Sequence, residues 1–214
     1  PYGESNFKKV ITQGYQYVDK TQYIAQLEQE GKYLFLLRPR RFGKSLLISA
    51  LEYYYDQQHA DDFETLFGGL YIGQNPTPLK NSYQVLLMEF SGIATTSAED
   101  IYRAFDTKVE LALQTFLTRY GYSQSVIDRV SSYKSACEKM EYFFSEMIGQ
   151  NVLLLIDEYD HFANAILAED LALFQRIVAK DGFFRSFFEV LKAATHRGVL
   201  DRVFVTGVTP LMRD

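Results

Sequence analysis

The sequence predicts an α/β fold, with a mainly parallel central sheet between two layers of helices. Three observations carry that expectation. Short, largely apolar runs recur at 33–37, 85–90, 152–156 and 203–206, the first of them continuously apolar, the pattern of a strand buried on both faces. Stretches with helical spacing of apolar residues separate them. Strands alternating with helices imply parallel pairing, since each parallel strand needs a crossover to return to the sheet.

The elements follow in order. Residues 2–30 read as a polar leader ending in a short helical pattern of Tyr23, Ile24 and Leu27. After the strand at 33–37, residues 44–55 are helical, with Leu47, Leu51 and Tyr54 on one face; Tyr53, Tyr54 and Tyr55 read as packing residues. Residues 61–81 hold Phe63, Leu66, Phe67 and Leu70 among glycines and prolines and read as a short helix plus loop, with Gly68–Gly73 in the loop. Ser97 and Asp100 resemble a capping box that opens a helix with Ile101, Phe105, Val109, Ala112 and Phe116 inward. Residues 132–148 and 183–196 are further helical regions, flanking the strand at 152–156 and preceding the one at 203–206.

Apolar residues make up 47% of the 214-residue chain, enough for one domain over 1–214 with 1–30 as its leader. The net charge of −5 gives no global reason to expect nucleic-acid binding. Against it stands a local basic cluster of Arg38, Arg40, Arg41 and Lys44. The single Cys137 excludes an internal disulfide and fits a reducing cytoplasm. No apolar run reaches the ~20 residues of a membrane span, and no signal peptide is visible. The chain starts at Pro1 and stops at Asp214 just after a strand-like run, so the natural protein is expected to continue.

Two strand runs end abruptly in chemistry. Residues 34–46, LFLLRPRRFGKSL, pass from apolar strand to Gly43-Lys44-Ser45 at a helix start. That is most of the G-x-x-x-x-G-K-[ST] phosphate loop, with Arg38 at the first glycine position. Gly43 lets backbone approach phosphates, and the amides near Lys44–Leu46 point at an anion with the helix dipole behind them. Lys44 supplies charge for the β- and γ-phosphates, and Ser45 a hydroxyl for Mg²⁺. The candidate nucleotide-binding set is Arg38 and Arg40–Leu46, Phe42 included. Arg38, Arg40 and Arg41 fit phosphate contacts or structural salt bridges about equally. Because Arg38 carries a Cβ, unusual dihedrals there would cost about 1–3 kcal/mol. The loop is therefore expected to be more open than a standard cradle, with Arg38 within reach of Asp157, Glu158 or bound phosphate.

Residues 152–160, VLLLIDEYD, end in adjacent carboxylates. Asp157 would hold Mg²⁺ with Ser45, and Glu158 would orient or deprotonate the attacking water. Asp160 suits a supporting group or a helix N-cap. Thr206, ending the strand at 203–206, is the candidate γ-phosphate sensor, with Thr209 as alternate. His59, His161, His196 and Cys137 show no metal-ligand spacing.

YVDKT (17–21), LLRPRRFGKSLL (36–47), LFGGLYI (66–72), LLLIDEYD (153–160) and VTGV (205–208) resemble the AAA-ATPase-like domain of bacterial proteins. In that family Arg commonly stands at the position of Arg38. His161-Phe162 departs from the Lys-Pro pair frequent after IDEYD, which leaves the role of the following loop open. The resemblance implies a phosphate-loop NTPase fold of the AAA-like, catalytic-glutamate class, ATP and Mg²⁺ as cofactors, and hydrolysis. Family members often carry a C-terminal PD-(D/E)XK nuclease-like module, through which nucleic acid would be a partner. An oligomer with an arginine supplied by a neighbour is compatible, with Arg185, Arg197, Arg202 and Arg213 as equal candidates. The alternatives are a nucleotide-binding switch that hydrolyses very slowly, and an interaction module that uses the arginine cluster without nucleotide.

Overall fold

The computed structural model describes residues 3–93, 97–169, 171–178 and 182–210. Strands β1 (Tyr33–Leu37), β2 (Gln84–Glu89), β3 (Val152–Asp157) and β4 (Leu200–Gly207) form one sheet in the order β1-β4-β3-β2. All pairings are parallel, with Leu36 opposite Thr206 and Ile156 opposite Val205. All six residues of β3 are buried, as its run of aliphatics requires at a central position. β2 lies at one edge, where Leu87 and Glu89 are exposed.

Helices fall on both faces. α1 (Phe7–Thr12), α2 (Gln22–Leu27), α3 (Lys44–Tyr55), α4 (Phe63–Phe67) and α5 (Tyr71–Gln74) share one core with the sheet, around Phe7, Leu51, Tyr54, Phe67 and Leu153. α6 (Ala98–Arg119), α7 (Gln124–Ser132), α8 (Ala136–Glu146), α9 (His161–Glu169) and α11 (Phe183–His196) build the other, around Phe105, Phe143, Leu154, Phe187 and Leu191. α10 (Leu171–Val178) packs on α9 and α11. The faces follow from handedness. The chain crosses from β1 to β2 in one direction and returns through β3 to β4 in the other, so right-handed crossovers put α3 opposite α6, α8 and α11.

Ser97 caps α6 as expected, accepting from the Asp100 N–H at 3.1 Å. Several expectations need correction. The leader is no polar tail: α1 buries Phe7 and Val10, because Phe7 stacks on Phe67 at 4.9 Å. The helical region at 132–148 is two helices, α7 and α8, broken at Tyr133–Ser135 and restarted by a Ser135–Glu138 capping box. Residues after Asp160 form helix α9 rather than a loop. The loop expected at Gly68–Gly73 is a loop only in part: Gly68 lies in the turn that follows α4, whereas Gly73 lies in α5, where a Cβ would sit 1.8 Å from the Phe67 carbonyl oxygen. The YVDKT segment caps that helix, since Asp19 accepts from the Tyr71 N–H at 2.7 Å and Thr21 Oγ1 from the Ile72 N–H at 3.1 Å.

Candidate functional site

β1 and β3 end on the same edge of the sheet and send their chains to opposite faces, β1 into α3 and β3 into α9. Diverging connections of this kind open a crevice beyond the carboxyl ends of the strands. A cleft of about 620 Å³ lies there, within the usual range for small-molecule sites.

The β1 side is the loop expected to cradle phosphate. Two of its residues take positive φ: Arg41 at 69° and Gly43 at 76°. Gly43 is the left-handed N-cap of α3. A Cβ there would meet nothing within 4 Å, so the dihedral rather than crowding calls for glycine. Lys44 is 8% exposed, and its ammonium donates to the carbonyls of Arg38 and Pro39, both at 2.9 Å. The loop thus closes around its own lysine at the start of α3. Arg40, Arg41 and Gly43–Leu46 line the cleft.

The expected pairing of Arg38 with Asp157 or Glu158 is not found. The Arg38 N–H donates to the Gly207 carbonyl at 3.1 Å, extending the β1–β4 ladder by one residue. This keeps Arg38 out of the positive-φ region, and the unusual dihedrals fall on Arg41 and Gly43 instead. The Arg38 guanidinium is exposed, donates to the Leu37 carbonyl at 3.4 Å and pairs with neither Asp157 nor Glu158. Phe42 is 67% exposed and, like Arg38, does not line the cleft.

On the β3 side, Asp157 is 6% exposed, and its Oδ1 accepts from Thr206 Oγ1 and from the Glu158 N–H at 3.0 Å. Its Oδ2 takes no protein donor among the described residues. Glu158 has φ 52°, a left-handed conformation that costs a non-glycine residue about 1–2 kcal/mol and turns its carboxylate into the cleft. Thr206, on β4 between the two chemical strand ends, is fully buried and does not line the cleft. Its hydroxyl serves Asp157, so the geometry makes it an orienting partner of that carboxylate rather than a group facing ligand. Thr209 is also committed: its hydroxyl and N–H donate to Asp160 Oδ2 at 2.7 and 2.6 Å.

Asp160 has the supporting place that the motif suggested, and residues the motifs did not reveal complete the site. Asp160, 1% exposed, also accepts from the Val208 N–H at 2.9 Å and from the Asn164 amide at 2.8 Å. With the Tyr159 hydroxyl on the Thr209 carbonyl at 2.6 Å, it holds the loop after β4 against the turn after β3. Gly207 is required by that approach, because a Cβ would lie 2.5 Å from the Tyr159 ring. His161 places Nδ1 3.3 Å from Glu158 Oε2 and lines the cleft. Its i,i+3 spacing from Glu158 at a helix start was the available signal. Away from the cleft, Glu52, Asp56 and His59 offer ligand atoms within 4.8 Å of one another. Arg119 already pairs with both carboxylates, at 2.9 and 3.2 Å. Arg202 is likewise spent within the chain, donating to the Glu28 carbonyl at 2.8 Å, and Arg185 lies 4.0 Å from Glu189. Arg213 lies outside the described residues.

A family model described as "Predicted AAA-ATPase" (AAA-ATPase_like) matches residues 1–214. The chain belongs to this family. A curated relative of this AAA-ATPase-like chain, an uncharacterized protein in the vnfD 5′ region of Azotobacter chroococcum mcd 1, is 32% identical over 171 residues. The match covers 75% of the chain but only 28% of that protein, so the chain spans under a third of its relative's length. No solved structure matches. Among the described residues of the AAA-ATPase-like chain, no helix is long and apolar enough to cross a membrane.

Proposed function

We propose that this domain is a phosphate-loop ATPase that binds ATP with Mg²⁺ and hydrolyses it to ADP and phosphate. One observation carries the reading: Lys44 at the start of α3 and the Glu158 carboxylate just past β3, from separate places in the sequence, line one cleft, with Asp157 directly before Glu158 at the end of β3. The N–H groups at the start of α3 and the Lys44 ammonium bind and orient the β- and γ-phosphates. Mg²⁺ is a hard cation that favours oxygen ligands, and the Ser45 hydroxyl and the open Oδ2 of Asp157 fit it. When bound, the ion neutralises charge developing on the phosphates. Thr206 and the Glu158 N–H fix the rotamer of Asp157. Glu158 orients the attacking water and takes its proton. A non-hydrolysing switch and a nucleotide-free interaction module remain the rival readings.

Within a longer protein, turnover would drive an attached module, and the nuclease-like module named above is the expected one. Equilibrium titration with a fluorescent ATP analogue, with and without Mg²⁺, tests binding. Single-turnover hydrolysis by wild type and Glu158→Gln tests catalysis. Absent binding overturns the reading in favour of an interaction module. Binding with equal, negligible turnover in both proteins leaves only the switch.

A further inference from the structure

One wall of the cleft comes from a segment that no motif marks. Gly3, Glu4 and Ser5 face the same space as Arg40, Lys44 and Leu46. We propose that this wall receives the nucleoside, and that the Glu4 carboxylate is a specificity-determining acceptor for its hydrogen-bond donors. The inference rests on the nucleotide reading above.

The segment is held in place from the leader side. Phe7 is fully buried, and its N–H donates to Ser49 Oγ on α3 at 3.0 Å. Ser49 lies one helical turn beyond Ser45, about 6 Å along the axis. The leader therefore overhangs the cleft one turn past the phosphate end. A triphosphate bound at the start of α3, with its γ-group toward Glu158, extends its uncharged end away from the carboxylates and along this wall.

The chemistry of Glu4 suits that end and no other. An ionised carboxylate only accepts hydrogen bonds and repels phosphate. Its Oε1 accepts from the Asn6 N–H at 2.9 Å, which orients the side chain, and its Oε2 lies 3.9 Å from Lys9 Nζ. With 26% of the side chain exposed and Glu4 lining the cleft, the carboxylate keeps acceptor capacity. Two nucleoside groups offer matching donors: the ribose hydroxyls and the amino or imino groups of the base. A carboxylate on a ribose hydroxyl is a known solution in dinucleotide sites.

The test is calorimetric titration of the chain with ATP, 2′-deoxy-ATP, inosine triphosphate and inorganic tripolyphosphate, all with Mg²⁺. Wild type, Glu4→Ala, Glu4→Gln and Lys44→Ala are compared, with unfolding temperatures as controls. Glu4→Gln keeps an acceptor for the Asn6 N–H and so separates the charge from the local fold. We expect wild type to bind ATP more tightly than tripolyphosphate. Glu4→Ala should lose ATP affinity about tenfold or more, as for a lost hydrogen bond to a charged group, with tripolyphosphate unchanged. Glu4→Gln should lose part of that. A selective wild-type deficit for 2′-deoxy-ATP assigns the ribose; one for inosine triphosphate assigns the base amino group. Equal losses for ATP and tripolyphosphate, or no loss for either, overturn the inference. The cradle reading fails separately, if Lys44→Ala binds both ligands as wild type does. No binding of either ligand by wild type overturns both.

Discussion

Thr206→Val removes one hydroxyl from a fully buried position and keeps nearly the same shape. The lost bond is the one to Asp157, a carboxylate itself only 6% exposed. A hydrogen bond to a charged group contributes about 1.5–3 kcal/mol, and water cannot easily replace it here. At roughly 2–4 °C per kcal/mol for a domain of this size, the melting temperature should fall by about 3–12 °C. The functional effect should be larger with metal than without. Asp157 freed from Thr206 can rotate, so affinity for Mg²⁺–ATP should drop several-fold while metal-free ATP binding changes little. Thr206→Ser, which keeps the hydroxyl, should restore most of both. The assay is thermal unfolding beside ATP titration with and without Mg²⁺. A Thr206→Val protein that is as stable as wild type and keeps its metal-dependent affinity would refute the orienting role. So would equal loss in the serine variant.

Further outcomes test the rest of the site. Lys44→Ala should lower nucleotide affinity by about 1.5–3 kcal/mol with the fold intact, read by titration and circular dichroism. Asp157→Asn should reduce Mg²⁺-dependent binding, whereas Glu158→Gln should keep binding and lose single-turnover hydrolysis, since water activation acts in the transition state; equal binding losses in both would sink that division. Gly43→Ala should destabilise by about 1–2 kcal/mol in denaturant unfolding, because the cost lies in its left-handed φ of 76°. Partial burial pushes the Asp19 carboxyl up, but bonds from the Thr21 side chain and from the Tyr71 and Thr21 N–H groups hold it below its ordinary value of 3.8. A depressed folded-state value stabilises above 3.8 and ceases to as pH falls through it. The stability deficit of Asp19→Asn should therefore be present at pH 7 and shrink as pH falls below 3.8 in urea titrations.

Much of the scaffold was legible because its signals are local. The aliphatic runs marked all four strands, and α3 was readable from its apolar spacing. α1 was missed because six residues with two buried positions resemble a polar leader until Phe7 finds Phe67. His161 was passed over because its i,i+3 spacing from Glu158 becomes a contact only where the turn after β3 starts a helix. The ordinary backbone of Arg38 was not legible, because it is set by a ladder bond to Gly207, a partner far along the chain.

The sequence by itself determined the alternation of strands and helices and the two strand ends that carry the candidate residues. Burial of continuous apolar runs and the dihedral freedom of Gly43 are properties of a few neighbouring residues. Only the tertiary structure decided what those ends meet. The strand order β1-β4-β3-β2 inserts Thr206 beside Asp157, a partner 49 residues away, and the packing of α1 on α3 carries Glu4 to the cleft. Such contacts form only when distant segments bury a shared core, and no local pattern encodes which segments those will be.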